Sequence, residues 1–415
     1  MVRDSNDAAG DGIAEAADSD ATSYWLAASA AGPDRPTLAS DATADIVVVG
    51  AGFTGLWTAI ALTDTDPTLR VVVLEADTVG YGASGRNGGF CSASLTHGLA
   101  NGIRHFPDEL AILEREGLAN FRALVEFTRE HEIDCSLEET GILDVADRPH
   151  QVEEFRAWVD DAAAWGEELE FMDRERIQAE VHSPLWLAAL HRSPGRDAIL
   201  DPAKLVRGLA RVCEERGAII HEGSRVTAVE RHAGRVRVGT AGGQSVSAGH
   251  VVVAMSAYSG WLRRLSAHFV PVYDYILVSD PLSAEQLTSI GWERRQGMAD
   301  ANNQFHYFRL TADNRVLWGG YDAIYHFRER SRAAIRPPSD DIRKAGGAVP
   351  RHVSAARRHR LPVPLGRRDR YDVALHRDVR AGPRWSADIC PRLHRAGCRG
   401  EPLGRWRRPR LHSPP

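Results

Sequence analysis

The feature that most constrains the fold is a glycine-rich turn between a buried strand and a helix. Residues 45–49 form a short β-branched run, which is typical of a buried parallel strand. This run leads directly into Gly50-Ala51-Gly52-Phe53-Thr54-Gly55. A helix is predicted next, then a second strand over 70–74 that ends at Glu75. This order of strand, glycines, helix, strand and acid predicts a dinucleotide-binding βαβ unit.

Each residue type in this unit suits contact with a dinucleotide. The first glycine allows a tight turn, the second lets the backbone approach a pyrophosphate, and the third lets the helix pack closely on the strand. The helix N-terminus offers N–H groups and partial positive charge to phosphates. Glu75 is expected to accept hydrogen bonds from a ribose and to disfavour a 2′-phosphate. The predicted contacts are Gly50, Gly52, Phe53, Thr54, Gly55, Glu75 and Ala76. The alternative is a glycine turn in some other α/β unit.

A second glycine-rich loop, at 79–89, favours FAD over NAD as the dinucleotide. Its backbone N–H groups suit an extended phosphate–ribityl chain, and Arg86 is expected to neutralise charge. The predicted contacts are Gly82, Ser84, Gly85, Arg86, Asn87, Gly88 and Gly89.

Four segments together resemble the D-amino-acid oxidase, glycine oxidase and sarcosine oxidase group of flavoenzymes. They are Ser23-Tyr24-Trp25, the glycine turn, the loop from Gly82 to Gly89, and residues 307–315. Within that group the sequence is most similar to the γ-glutamylputrescine oxidases, and the resemblance covers residues 23 to about 326.

The resemblance implies an α/β fold in which a Rossmann-like FAD-binding domain is interleaved with an antiparallel-sheet (α+β) substrate domain. It implies oxidation of a C–N bond in an amine or amino acid by hydride transfer to FAD. The products would be an imine and, with oxygen as acceptor, hydrogen peroxide. A γ-glutamylputrescine-like compound is the leading substrate. In this group the residue at Val226 meets the adenine through its backbone, and Ala254 ends a strand close to the cofactor; plain sheet core is the alternative for both.

The predicted layout follows the same resemblance. Residues 1–22 form an acidic, disordered leader; 23–98 and 190–265 form the FAD-binding domain; 99–189 and 266–326 form the substrate domain. Apolar spacing predicts helices over 108–131 and 151–167. Asp201-Pro202 predicts the start of another helix, over about 202–216. A hairpin turn is predicted at 311–314.

Tyr307 and Arg309 are the substrate-binding candidates. They alternate on one face of a predicted strand, and Arg309 suits a bidentate pair with a carboxylate. The alternative is a packed tyrosine and a surface arginine. No catalytic residue is assigned, because hydride transfer to flavin requires no general base from the protein. Covalent flavin attachment through His97 or Cys91 stays open.

Composition limits the cellular compartment and the kinds of partner that we expect for this chain. The five cysteines are scattered and form no C-x-x-C pair, which predicts free thiols and a cytoplasmic protein. No apolar run approaches the roughly 20 residues of a membrane helix. We predict no membrane, nucleic-acid or metal partner; the expected partners are a small amine and oxygen or another electron acceptor.

Composition changes abruptly after about residue 330. Residues 331–415 carry a net charge of +14 and 11 of the 21 prolines, whereas residues 1–330 carry −19. The later motifs of the resembled group, R-W-G-G-x-I-D and G-Y-T-G-L-G-V, are absent in this frame. We predict an irregular tail over 327–415. A genuine basic tail that binds nucleic acid is the alternative, and the zinc-like spacing of Cys390, His394 and Cys398 is discounted with the tail.

A shift of the reading frame would explain the composition of the tail. Residues 364–372 can be back-translated with GC-rich codons that, one base on, encode R-W-G-G-A-I-D-T. Residues 389–399 likewise become Y-A-P-G-Y-T-G-L-G-V, and residues 334–345 become a helix-like segment. All three segments use the same one-base shift, and they occur in the order that they have in the resembled group of flavoenzymes. We therefore hypothesise a one-base insertion or deletion between about Phe327 and Ala333. The chain as printed would then be a non-catalytic remnant with weak or no FAD binding.

Overall fold

The computed structural model describes residues 23–29, 32–262, 272–302, 305–324 and 370–376. The first of two large sheets has six strands in the order β8-β2-β1-β11-β10-β9. Its strands are β1 (Ala42–Val49), β2 (Val71–Leu74), β8 (Ile219–His221), β9 (Val226–His232), β10 (Arg235–Thr240) and β11 (Ser245–Val253). The four from β8 to β11 in this order are parallel, and β10 and β9 add antiparallel pairs.

Two helices cover one face of this sheet. Helix α2 (Phe53–Thr65) follows the glycine turn, and helix α7 (Pro202–Glu215) packs beside it. The predicted cap of α7 is confirmed, because Oδ1 of Asp201 accepts hydrogen bonds from the N–H groups of Ala203 (2.9 Å) and Lys204 (3.0 Å). Its apolar side is buried against α2 and the sheet, as the sequence pattern predicts.

The second large sheet has eight strands in the order β16-β12-β15-β14-β13-β4-β6-β5. Its strands are β4 (Ile142–Ala146), β5 (Leu169–Met172), β6 (Ala188–Arg192), β12 (Val272–Val278), β13 (Gly297–Asp300), β14 (His306–Leu310), β15 (Val316–Ile324) and β16 (Arg370–His376). Its pairs are antiparallel except for β13 and β4, which are parallel. The predicted hairpin turn at 311–314 joins β14 to β15, with Asn314 at a φ of 60°.

The two faces of the second sheet differ in chemistry. Side chains alternate between faces along a strand. One face packs into an apolar core that includes Leu143, Met298 and Phe308, together with Trp186 and Trp292. The opposite face carries the residues between them, and part of it borders the cavity described below. We call the face that packs into the core the sealed side and the face that borders the cavity the functional side.

Shorter elements connect the two sheets. Strands β3 (Phe90–Ser92) and β7 (Asp197–Ile199) pair with each other. The helices of this half and the N-terminal helix are α1 (Tyr24–Ala28), α3 (Leu99–His105), α4 (Leu110–Glu130), α5 (Pro149–Ala163), α6 (Arg174–Glu180) and α8 (Ala284–Ile290). Helices α4 and α5 confirm the predictions over 108–131 and 151–167, with ends that differ by up to four residues.

The structure supports the predicted fold class and describes only part of the predicted tail. The parallel sheet with covering helices is the Rossmann-like part, and the eight-stranded sheet is the antiparallel part. The leader 1–22 lies outside the described residues. Of the tail, residues 370–376 form β16, which pairs with β12; the segment around Cys390, His394 and Cys398 lies outside the described residues. The domain boundaries stay a prediction, and the one at 190 falls inside β6.

Candidate active site

A cavity of about 1260 Å³ runs from the glycine turn to the functional side of the eight-stranded sheet. This volume exceeds the roughly 300–1,000 Å³ of a pocket for one drug-sized ligand. Most of the predicted site residues line it: Gly50, Gly52, Phe53, Thr54, Glu75, Ala76, Gly82, Ser84, Asn87, Gly88, Val226, Ala254 and Tyr307. The cavity therefore has room for an extended ligand and for a second, smaller molecule.

The backbone is too close at the glycine positions of the turn to leave room for a side chain there. Gly50 has a φ of 104°, and a Cβ there would lie 2.7 Å from the carbonyl oxygen of Ala254. A Cβ on Gly55 would lie 1.9 Å from the carbonyl oxygen of Gly50, which explains why Gly55 supports the turn from outside the cavity. The N-terminus of α2 thereby opens directly onto the cavity, in the arrangement that binds phosphate groups.

Glu75 lies at the carboxyl end of β2, beside the turn. Its Oε2 accepts a hydrogen bond from the N–H of Ala51 (2.8 Å) and its Oε1 accepts one from the N–H of Asp77 (3.1 Å). Burial raises the pKa of Glu75, and these backbone hydrogen bonds oppose that rise. The carboxylate is thus held in place at the cavity wall, where it suits a hydroxyl donor.

The second glycine-rich loop is fixed by the turn and by its own side chains. Oγ of Ser84 accepts a hydrogen bond from the N–H of Phe53 (2.9 Å) and so joins the loop to the start of α2. Nδ2 of Asn87 donates to the carbonyls of Ala83 (3.1 Å) and Ser84 (3.2 Å). Oδ1 of Asn87 accepts from the N–H of Gly89 (2.9 Å).

Helix α1 and its N-cap residue Ser23 hold this loop through hydrogen bonds. Nε1 of Trp25 donates to the carbonyl of Asn87 (2.9 Å), and Oγ of Ser23 donates to the carbonyl of Gly85 (3.1 Å). The hydroxyl of Tyr24 donates to Oδ1 of Asp313 (2.6 Å), in the turn between β14 and β15. The Ser-Tyr-Trp segment thus connects the loop to the second sheet.

Two predicted arginines lie outside the cavity. Nε of Arg86 donates to the carbonyl of Tyr81 (2.7 Å), and its guanidinium stacks 4.9 Å from the centre of the Tyr81 ring. Nη1 of Arg309 donates to the carbonyls of Leu200 (2.7 Å) and Gly89 (3.1 Å), with only 1% of the residue exposed. Gly85 and Gly89 also lie outside the cavity lining. Burial lowers the pKa of Arg309 to about 10.

Tyr307 lies where the loop meets the second sheet. A Cβ on Gly88 would lie 2.6 Å from Cε2 of Tyr307, so the ring covers the loop directly. The ring also packs edge-to-face on Phe90, with centroids 5.5 Å apart. Of the two substrate-binding candidates, Tyr307 is at the cavity and Arg309 is committed to backbone carbonyls.

Sequence reasoning missed the charged residues at the sheet end of the cavity. Asp144 of β4, Arg192 of β6 and Asp300 of β13 line this end. Nη2 of Arg192 is 3.6 Å from Oδ2 of Asp144, and its Nε is 3.4 Å from Oδ2 of Asp197. The available signal was the alternation of β4, where Asp144 interrupts an apolar strand.

The described part of the chain lacks two other kinds of feature, a metal-binding cluster and a membrane-spanning helix. No cluster of three His, Cys, Asp or Glu side chains there is arranged to hold a metal ion. None of the described helices is long and apolar enough to span a bilayer.

Comparison with known proteins identifies the family. A family model described as FAD dependent oxidoreductase matches residues 45–383. The chain belongs to this FAD-dependent oxidoreductase family. It is 31% identical over 312 residues to gamma-glutamylputrescine oxidoreductase of Escherichia coli strain K12, covering 74% of this chain and 71% of that protein.

Solved structures agree on the fold. Glycine oxidase from Geobacillus kaustophilus superposes with a TM-score of 0.61 at 19% identity, covering 81% of this chain and 84% of that one. L-proline dehydrogenase from P. horikoshii gives a TM-score of 0.57 at 18% identity, covering 80% and 81%. The cavity described above fits the FAD of this family: one end has a glycine turn at a helix N-terminus and the carboxylate of Glu75, whose chemistry suits phosphate and ribose, and the loop 79–89 lines the cavity beside them.

Proposed function

We propose that the chain oxidises the C–N bond of an amine or amino acid with FAD, passing electrons to oxygen to give an imine and hydrogen peroxide. The observation that carries this proposal is the single cavity that joins the glycine turn to Tyr307 and Asp144 on the second sheet. One continuous space lets a substrate on the sheet reach a dinucleotide held by the turn.

The residues at the turn bind the cofactor. The N-terminus of α2 would hold the pyrophosphate, and Glu75 would accept a hydrogen bond from the ribose. Asn87 and Gly88 would contact the ribityl chain, and Val226 would contact the adenine. Bound FAD supplies the hydride acceptor for the carbon beside the substrate nitrogen.

The residues on the sheet position the substrate and exclude water. Tyr307 and Phe90 form an aromatic wall above the loop, where the reacting carbon is held. Among the described residues we assign no general base to this wall, since the substrate amine binds in its neutral form. The protein's contribution is therefore orientation and desolvation.

A γ-glutamylputrescine-like compound is the proposed substrate. The support is the 31% identity to gamma-glutamylputrescine oxidoreductase, which spans most of both chains. The free thiols of Cys91, Cys135 and Cys213 support action in the reducing cytoplasm.

A second candidate is a catalytically inactive remnant. The absence of R-W-G-G and G-Y-T-G-L-G from residues 327–415 favours it. In the resembled group the latter segment opens a helix that faces the flavin, and its dipole stabilises negative charge on the ring. We propose that the printed frame departs from the functional one between about Phe327 and Ala333. Sequencing the gene across the codons for Tyr321 to Arg343 tests this; codons incompatible with the shifted sequences contradict it.

The function is tested by reduction of bound flavin without oxygen. Full-length protein is loaded with FAD and mixed with γ-glutamylputrescine, glycine or n-butylamine. Loss of visible flavin absorbance with any of them, followed by hydrogen peroxide on readmitting air, supports the amine oxidase. Stable FAD binding with no reduction by any amine contradicts it, and failure to bind FAD favours the remnant.

A further inference from the structure

The sheet end of the cavity holds more carboxylates than cations. Arg192 is the cation of a buried group whose carboxylates are Asp144, Asp197 and Glu167. The neighbouring Arg196 pairs with Glu114 at 2.7 Å. Glu167 also lies near Arg196, so two arginines face the four carboxylates of Asp144, Asp197, Glu167 and Glu114, and the group lacks positive charge.

Asp144 belongs to this group and lines the cavity, and its ion pair with Arg192 is incomplete. Its carboxylate is 3.6 Å from Nη2 of Arg192, beyond hydrogen-bonding distance. None of the described residues donates a hydrogen bond to it. Nε of Arg192, although buried, likewise has no hydrogen-bond acceptor within the described residues. A half-buried carboxylate that lines the cavity with an incomplete ion pair gains from a cation that enters the cavity.

The register of the sheet places Asp144 at a defined distance from Tyr307. Ala299 of β13 pairs with Asp144 on one side and with Tyr307 on the other. Asp144 and Tyr307 are therefore two strand spacings apart, about 10 Å between backbones. The small Ala299 lies between them in the cavity lining, a placement that suits an extended aliphatic chain.

We propose that Asp144 is the specificity-determining residue of the amine oxidase and binds an ammonium group remote from the carbon that is oxidised. The substrate class is then an amine with a second ammonium group at the far end of an aliphatic chain, such as a diamine. This inference rests on the proposed function. The reacting carbon lies at Tyr307 and the distal ammonium at Asp144, with an aliphatic chain over Ala299.

The test compares putrescine with n-butylamine, which has the same carbon chain and one ammonium group. With FAD-loaded full-length protein, the ratio of kcat/KM for putrescine to that for n-butylamine is expected to be well above one. In Asp144→Asn it is expected to fall by about tenfold, the effect of one lost hydrogen bond to a charged group. The effect should appear mainly in KM, and Asp144→Glu should restore part of the ratio.

Asp197→Asn is the matched control, because it removes a carboxylate from the same buried group at a residue outside the cavity lining. It should leave the ratio unchanged. An equal fall in both variants overturns the proposal. So does a wild-type ratio near one, a measurement that needs no variant to fold. Flavin reduced by amines without any diamine preference contradicts this inference alone, whereas no reduction by any amine contradicts the proposed function.

Discussion

The guanidinium of Arg309 is held by the carbonyl of Leu200, with Nη1 2.7 Å from the carbonyl oxygen. The sequence pattern made Arg309 a carboxylate-binding candidate, yet the structure uses it to fasten β14 to the chain that precedes α7 and to the loop at Gly89. Its positive charge lies against Trp25, 5.5 Å from the ring centre. The arginine therefore joins three parts of the structure beneath the cavity.

Replacing Arg309 should lower stability more than substrate affinity. Arg309→Met leaves the buried carbonyl of Leu200 without this donor, and we expect the free energy of unfolding to fall by about 2–4 kcal/mol. Thermal unfolding measures the change. Arg115→Met is the control, since Arg115 is exposed and, among the described residues, its ion pair is with the adjacent Glu116. A stable Arg309→Met protein with a raised KM for carboxylate-bearing substrates would restore the original assignment.

The glycine turn should tolerate no methyl group. In Gly55→Ala the new Cβ meets the carbonyl oxygen of Gly50 at 1.9 Å, and in Gly52→Ala it meets Oγ of Ser84 at 2.8 Å. We expect loss of bound FAD in both, with the larger loss of stability in Gly55→Ala because backbone must move. FAD content after gel filtration is the measurement. Gly239→Ala, whose Cβ would lie 3.7 Å from the Cβ of Ala228, should retain FAD. Full FAD content in Gly55→Ala would contradict the account of the turn.

Trp25, which lies in helix α1, should help to position the second glycine-rich loop. Trp25→Phe keeps the aromatic ring but removes the N–H that holds the carbonyl of Asn87. We expect FAD affinity to fall by about tenfold, the cost of one hydrogen bond, as measured by fluorescence titration. Trp165→Phe changes the same residue type at a site that is 39% exposed and should have no effect. Equal affinities in the two variants would show that α1 does not position the loop.

The thiols of Cys91, Cys135 and Cys213 should be inert at neutral pH. Burial raises the pKa of Cys91 and Cys135 to about 11 and that of Cys213 to about 12. Because the thiolate is the reactive form, we expect slow labelling by a thiol reagent at pH 8 in a Cys390→Ser/Cys398→Ser variant, and fast labelling in denaturant. The neutral thiols contribute stability below the unfolded pKa of about 8.5, and this contribution should be lost as the pH rises toward 11. Rapid labelling of folded protein at pH 8 would contradict the buried placement.

The features that depend on residues close together in the chain could be predicted from the sequence. The glycine turn, the Asp201 cap of α7 and the hairpin turn at 311–314 each depend on residues a few positions apart, so their residue types were informative. The structure places Arg86 and Arg309 against backbone carbonyls outside the cavity lining, and sequence does not show which carbonyl a buried guanidinium will meet. Asp144 and Arg192 meet only through the pairing of β4 with β6, in which Ile142 lies opposite Arg192. That register is a property of the folded sheet.

The most direct test of the central claim is anaerobic reduction of FAD in this cavity by γ-glutamylputrescine. Full-length protein loaded with FAD is mixed with the compound in a stopped-flow spectrometer. The account predicts that the visible flavin absorbance is lost in a substrate-dependent phase and returns with hydrogen peroxide when air is admitted. A protein that holds FAD whose spectrum no amine changes would contradict the account.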